Sequence, residues 1–198
     1  MISFRLILNR VLIVMTGVAC LAFASNAQDV TDQDVADYIT LLQKRLIGRQ
    51  KADGSWPHSY PVGMTALAVQ ALIRSGYPVQ SKELQAAIAY VNNNSDQKTY
   101  SEGLAAGAML EADPVKYRKR IEEALDFLVD AQTVSGQWTY QQSRGGAGGD
   151  NSNVQFAILG LAAAEEAGFE IPGRTRSAAI DHWLRTQNQN GGWGYNGP

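Results

Sequence analysis

The sequence is poor in the residues that carry covalent and metal chemistry. Its 198 residues include one cysteine, Cys20, and two histidines, His58 and His182, which show no ligand spacing. Lysine and arginine number 17 against 19 acidic residues, a net charge of −2. No basic stripe interleaved with aromatics is present, so nucleic acid is not an expected partner. The one basic cluster, KYRKR at 116–120, leads into an amphipathic segment and is answered by Glu122 and Glu123. It reads as a solvated helix face. Alternating runs of strand length are missing as well, which points away from a sheet.

The N-terminus has the parts of a secretory signal. Arg5 and Arg10 precede the apolar stretch VLIVMTGVACLAFA (11–24), and SNA (25–27) ends in small residues before Gln28 and Asp29. Cleavage after Ala27 divides the chain into a signal peptide at 1–27 and one domain at 28–198. The mature protein is then exported to the periplasm or the extracellular space. The apolar stretch is too short for a membrane span, and none is expected in the mature protein. Lipid attachment through Cys20 is the weaker alternative, because Gly17 stands where a bulky aliphatic residue is expected. Cleavage removes Cys20 and leaves a cysteine-free, mildly acidic domain that relies on core packing alone.

What the chain does have is a repeated phrase. QKADGSW (50–56), QTVSGQW (132–138) and QNQNGGW (187–193) share a Gln six residues before a Trp. Glycine stands between the two in every copy, read as Gly54, Gly136 and Gly192. A degraded copy, NSDQKTY (94–100), has Asn94 for Gln, Lys98 for Gly and Tyr100 for Trp. The anchors recur about 40–55 residues apart, the range of supersecondary arrays.

Two kinds of segment flank the phrase. Before it the chain is amphipathic: Val35, Tyr38, Ile39, Leu42 and Leu46 share one face, then Tyr117, Ile121, Ala124, Leu125 and Leu128, then Ile180, Trp183 and Leu184. After it the chain is apolar nearly all round, at 62–73, 102–110 and 154–164. Asp113-Pro114 is expected to open one of the amphipathic helices. One-faced and all-round apolar helices in alternation predict an all-α domain, with one-faced helices outside and apolar helices inside. Gly103, Gly107 and Gly160 would let the inner helices approach closely. The phrase lies at each outer helix end, so Gln50, Trp56, Gln132, Trp138, Gln187 and Trp193 read as structural staples. Tyr60, Tyr140 and Tyr195 follow closely and are candidates to line a groove, with turn packing as the plainer alternative.

The Q-x3-G-x-W units resemble the repeats of squalene–hopene cyclases, oxidosqualene cyclases and protein prenyltransferases. GGDNSNVQFAILGLAAAEEAG (148–168) with QNQNGGWGY is similar to bacterial prenyltransferase/squalene-oxidase repeat proteins. The resemblance spans about 34–195 and implies an α/α toroid of outer and inner helix pairs, here partial with about three and a half pairs: either the domain is incomplete at its C-terminus or the arc is open. An open toroid exposes its inner helices, so self-association is possible. The ligand implied is an apolar or isoprenoid-like small molecule, or else a protein partner.

Activity does not follow as readily. The family's cyclases use a D-x-D-D acid, where this chain reads Asp150-Asn151-Ser152-Asn153. Asp150 is the one candidate catalytic residue, and it reads better as a helix cap. Prenyltransferase zinc chemistry needs a Cys that the mature chain lacks. A pectate-lyase-like role has only Asp53, Asp150 and Arg144 as loose candidates. The segment SRGGAGGD (143–150) offers Arg144, Gly148, Gly149 and Asp150 as an anion-binding loop, or a plain rim insertion. The expectation is a binding or scaffold module with no cofactor. A divergent terpenoid cyclase and a polysaccharide lyase are the enzymatic alternatives.

Overall fold

The computed structural model describes residues 29–142, 146 and 148–195. The leader, Cys20 and Arg144 lie outside the described residues. Among the described residues there are seven helices and no strand: α1 (Asp32–Ile47), α2 (Pro61–Arg74), α3 (Lys82–Asn93), α4 (Thr99–Ala112), α5 (Arg118–Ala131), α6 (Asn151–Glu166) and α7 (Gly173–Arg185). The all-α expectation holds.

The chain separates into two compact units, Met1–Leu41 and Leu42–Pro198, with the boundary inside α1. The described part of the first unit is a helix start. Thr31 Oγ1 accepts from the Asp34 amide (3.1 Å), and Asp34 Oδ2 accepts from the Thr31 amide (2.9 Å). This reciprocal arrangement satisfies two amides that a helix start leaves without partners. Val35, Tyr38 and Ile39 are exposed, although their spacing predicted a buried face.

In the second unit the three apolar helices form the centre. α4 packs against both α2 and α6, α3 packs on α2, and α5 packs on α4. The α4–α6 approach is set by glycine. A β-carbon on Gly103 would lie 2.3 Å from the Phe156 carbonyl oxygen, and one on Gly160 would lie 2.9 Å from Gly103 Cα. Any larger residue at either position forces the two backbones apart. Leu72, Leu84, Ile88, Met109, Ile121, Leu128, Trp138 and Val154 fill the core.

The repeated phrase makes the same bonds each time. The indole N–H of Trp56, Trp138 and Trp193 donates to the carbonyl ten residues earlier, on Leu46 (2.8 Å), Leu128 (2.7 Å) and Trp183 (2.8 Å). Each of these carbonyls belongs to a last helical turn, where acceptors have no intrahelical partner. Gln50 donates to its own turn at Gly54 O (2.9 Å) and across to Glu83 O of α3 (2.9 Å). Gln132 repeats this with Gly136 O (3.4 Å) and Thr175 O of α7 (2.9 Å). The turn glycine has positive φ at Gly54 (89°), Gly136 (82°) and Gly191 (84°). The last glycine corrects the reading of Gly192: the closing bond to the residue after Gln runs from Gly191 N to Asn188 O (2.9 Å), as it does in the other copies.

Three further expectations are corrected. Arg118 and Lys119 lie on the solvated face with Glu122 and Glu123, but Arg120 does not. Arg120 is 4% exposed and pairs with Glu102, 2% exposed, at 2.8 Å, while its Nε donates to Val91 O at the end of α3 (3.1 Å). In the degraded copy the corresponding carbonyl, Tyr90 O, accepts from Asn94 Nδ2 (2.8 Å), Arg120 takes the next one at Val91, and Tyr100 takes neither. Asp113 Oδ1 accepts from Val115 (3.0 Å) and Lys116 (2.9 Å), capping a single turn, and the helix begins only at Arg118. On α7 the buried residues are Thr175, Ala179 and His182, whereas Ile180 and Leu184 are exposed. Polar anchoring by Gln132 and Asn151 sets that helix's rotation against its apolar pattern.

Two stability measurements follow. Trp138→Ala is expected to lower unfolding free energy by about 3–5 kcal/mol, since the ring is fully buried. Trp193→Ala should cost clearly less, the ring being 45% exposed. Chemical denaturation of both variants checks the difference. Glu102→Gln should cost about 3–5 kcal/mol by leaving Arg120 charged and unpaired. The double change Glu102→Leu with Arg120→Leu should recover part of that loss.

Candidate functional site

Each central helix begins on polar contacts from the segment that follows the next amphipathic helix. The Thr99 amide donates to Tyr140 O (3.2 Å) and its hydroxyl to Thr139 O (2.6 Å). In the same way the Asn151 amide donates to Tyr195 O (2.8 Å) and its Nδ2 to Gly194 O (2.6 Å). At α2 the contact is a side chain: Asp96 Oδ2 accepts from the amides of Val62 (3.0 Å) and Gly63 (3.1 Å) and from Ser101 Oγ (2.7 Å). A carboxylate there also suits the positive end of the helix dipole.

Beside these helix starts lies a cavity of about 300 Å³. Tyr60, Met64, Leu67, Tyr100, Leu104, Tyr140 and Phe156 give it an apolar lining, with His58 and Lys98 at its edge. Tyr100 stacks on Tyr140 with centroids 5.7 Å apart and packs against Phe156 at 4.4 Å. The Tyr140 and Tyr195 hydroxyls are 3.3 Å apart, and that hydrogen bond pushes the Tyr140 hydroxyl up to about 12, so it stays protonated. Lys98 Nζ is 5.9 Å from the Tyr60 ring centre and donates to Gln141 Oε1 (2.8 Å).

A second cavity, of about 330 Å³, shares Leu104 and Phe156 with the first and runs on past Leu110 and Leu159. It ends at Gln70 and at the Arg74–Glu111 pair, where Arg74 Nε donates to Glu111 Oε1 (2.9 Å). The two cavities adjoin at Leu104 and Phe156 and together line a groove-like strip over α2, α4 and α6. Leu67 and Leu159 are 48% and 57% exposed along it. Such a strip, aliphatic in the middle and polar at both ends, suits an elongated apolar ligand.

The sequence candidates separate in space. Tyr60 and Tyr140 line the groove. Asp150 does not: it caps α6, accepting from the Asn153 amide (2.9 Å), Asn153 Nδ2 (2.7 Å) and the Ser152 hydroxyl. Burial works against its ionised form, but the hydrogen bonds from Ser152 and Asn153 prevail and hold its pKa below the usual carboxylate range. A carboxylate held ionised is poorly suited to donate a proton. Gly149 packs closely on the turn at 132–138, where a β-carbon would meet Trp138 O at 2.5 Å, while Gly148 has nothing within 4 Å. The amides of Asn151 and Asn153 are already engaged. Asp53 is taken up by Ser55, bonding its amide (3.0 Å) and hydroxyl (2.7 Å).

The groove residues Leu67, Leu104 and Phe156 were not singled out from sequence, and Lys98 only as the residue in place of the turn glycine. Their signal was faint: large apolar side chains on helices that are apolar all round show no preferred face. No family model matches the chain, and no curated protein matches it significantly.

His182 gives a pH test. It is buried, with Nε2 2.7 Å from Asn151 Oδ1; since Asn151 Nδ2 donates to Gly194, the imidazole Nε2–H is the donor. Burial, and then the nearby Arg185 charge, lower its pKa. The unfolded chain therefore binds a proton more readily than the folded one. Stability is full above the ordinary histidine value of about 6.5 and falls as pH drops below it. Melting temperature measured from pH 7.5 to 5.5 should decline, and His182→Gln should flatten the decline. Asp150 contributes in a lower window: its stabilisation is present above about pH 3.9 and is lost as pH falls through its lowered value.

Proposed function

We propose that the chain is an exported α/α-toroid repeat module, with about three and a half outer–inner helix pairs, that holds an apolar or isoprenoid-like molecule and does not transform it. The observation that carries this reading is the groove over α2, α4 and α6 with its aromatic end at Tyr60, Tyr100, Tyr140 and Phe156. The resemblance to terpenoid-cyclase repeats supports the toroid and the ligand class. The replacement of D-x-D-D by Asp150-Asn151-Ser152-Asn153, with Asp150 bound as a cap, supports binding over cyclisation. In this reading Phe156 and Leu104 form the floor, Leu67 and Leu159 close over the chain of the ligand, and Lys98 faces its head.

Native mass spectrometry of the protein purified from a host expressing the full chain tests this. The expected spectrum shows a discrete adduct that a long-chain isoprenoid alcohol displaces. Leu67→Glu should weaken binding of that alcohol about tenfold or more, because a charge replaces a side chain whose burial contributes about 1.5–3 kcal/mol. No adduct, together with no measurable binding of the alcohol, would contradict the reading. Conversion of an added isoprenoid, abolished by Asp150→Asn, would favour the cyclase alternative.

A further inference from the structure

The strip over α2, α4 and α6 has two unlike ends. Its first cavity is lined from the starts of the three helices, at Tyr60, Tyr100 and Phe156, and its second from later turns, at Arg74, Glu111 and Leu159. The strip therefore follows the helices from start to end. Along α4, Tyr100 to Glu111 covers about 16 Å at about 1.5 Å per residue. One extended chain of about a dozen carbons fits that length, at roughly 1.3 Å each.

The rings are not spread along the strip. Among the described residues, every ring that lines it belongs to the first cavity, and only Phe156 reaches the second. The far end is aliphatic and closes on the Arg74–Glu111 pair.

The aromatic end is not built for a charged head. Lys98 Nζ rests on Gln141 Oε1 (2.8 Å) and lies over the Tyr60 ring, and two carboxylates stand close by. Asp96 shares a surface hollow with Lys98 and caps α2. Asp150 caps α6 and, after the Tyr195 hydroxyl, helps to keep the Tyr140 phenol protonated. His58 Nδ1 accepts from the Tyr60 amide (3.0 Å), as an uncharged imidazole does. One cation beside two anions leaves no surplus positive charge, among the described residues, to hold a carboxylate or phosphate.

What remains is neutral and two-sided. Tyr60 and Tyr140 are 43% and 49% exposed, and their rings are edged by phenol hydroxyls and the Gln141 amide. A pyranose has the matching form, with C–H bonds on its faces and hydroxyls around its rim. Stacked on a tyrosine it covers the apolar ring, while its rim finds donors and acceptors beside it. A plain alcohol makes a single polar contact and leaves both rings in water.

We propose that the ligand is a single-chain glycolipid. Its uncharged sugar stacks at Tyr60 and Tyr140, beside Lys98 and Gln141, and its alkyl chain runs over Leu104 and Phe156 toward the Arg74–Glu111 pair. This rests on the strip holding an apolar ligand, as proposed above.

Isothermal titration of the protein with dodecyl glucoside, dodecanol and dodecanoate, each below its micelle concentration, tests the head directly. Dodecyl glucoside should bind about tenfold or more tightly than either of the others. Tyr60→Ala, at an exposed position, should bring the glucoside down to the level of dodecanol, and Tyr140→Ala should do the same. Equal binding of all three overturns the glycolipid proposal and leaves the apolar strip standing. Tighter binding of dodecanoate, lost in Lys98→Met, overturns it in favour of an anionic head. A glucoside preference that survives both tyrosine substitutions also overturns it, because the sugar then lies elsewhere. Failure of all three probes to bind removes the apolar-ligand reading itself, and the glycolipid proposal with it.

Discussion

A helix that stops inside a packed domain leaves several backbone carbonyls without partners, and this chain answers that problem with the same indole each time. The tryptophan N–H takes one carbonyl of the last turn at Leu46, Leu128 and Trp183. Its ring covers the helix end as it does so. The glutamine six residues earlier then holds the turn closed and reaches the next amphipathic helix. One short phrase thus satisfies a helix end, fixes the turn, and sets where the following helix starts. Where the phrase is degraded, Asn94 Nδ2 takes the corresponding carbonyl at Tyr90 and the buried Arg120–Glu102 pair takes the next one at Val91. The substitution is costly in desolvation, and the remaining hydrogen bonds to Asn94 O and Ser95 Oγ offset part of that cost.

The groove is a consequence of this scaffold. Because the turns position the central helices, α2, α4 and α6 need not be covered on the side away from α3 and α5. Glycine at 103 and 160 lets α4 and α6 approach closely beneath Leu104 and Phe156, which line both cavities. The aromatic cluster at its end is held by the same turns, since Tyr140 anchors Thr99 through its backbone carbonyl and stacks its ring on Tyr100. Anchoring and lining are therefore properties of the same residues, which is why tyrosines near the repeated phrase carry both readings.

Much of the fold was legible in the sequence because it is written in periodicity. The apolar segments, the amphipathic segments and the repeated phrase each mark an element and its end. The sequence was less informative wherever a polar contact overrides pattern. Ile180 and Leu184 looked core-facing, yet Thr175 and His182 are the residues tied down. Arg120 sat in a basic run and still went inside, and the signals for it were an acid, Glu102, at the start of an apolar run and a base in line with Ala124 and Leu128. Gly191 and Gly192 are adjacent, and the spacing of the other copies, four residues after Gln and two before Trp, already selects Gly191, as its positive φ bears out. For the site, Tyr60 and Tyr140 were visible by their nearness to tryptophan. Leu67, Leu104 and Phe156 were not, because which side of an all-round apolar helix stays open depends on how its neighbours pack.

The central claim is that the repeated phrase joins successive repeats and is more than a local turn. Hydrogen exchange, resolved by peptide, in the wild-type protein and in Gln132→Ala tests it most directly. The junction account predicts faster exchange confined to the turn at 132–138 and the first turns of α7, with α5 protected as before. Unchanged exchange in α7, or a uniform loss across the domain, would contradict it.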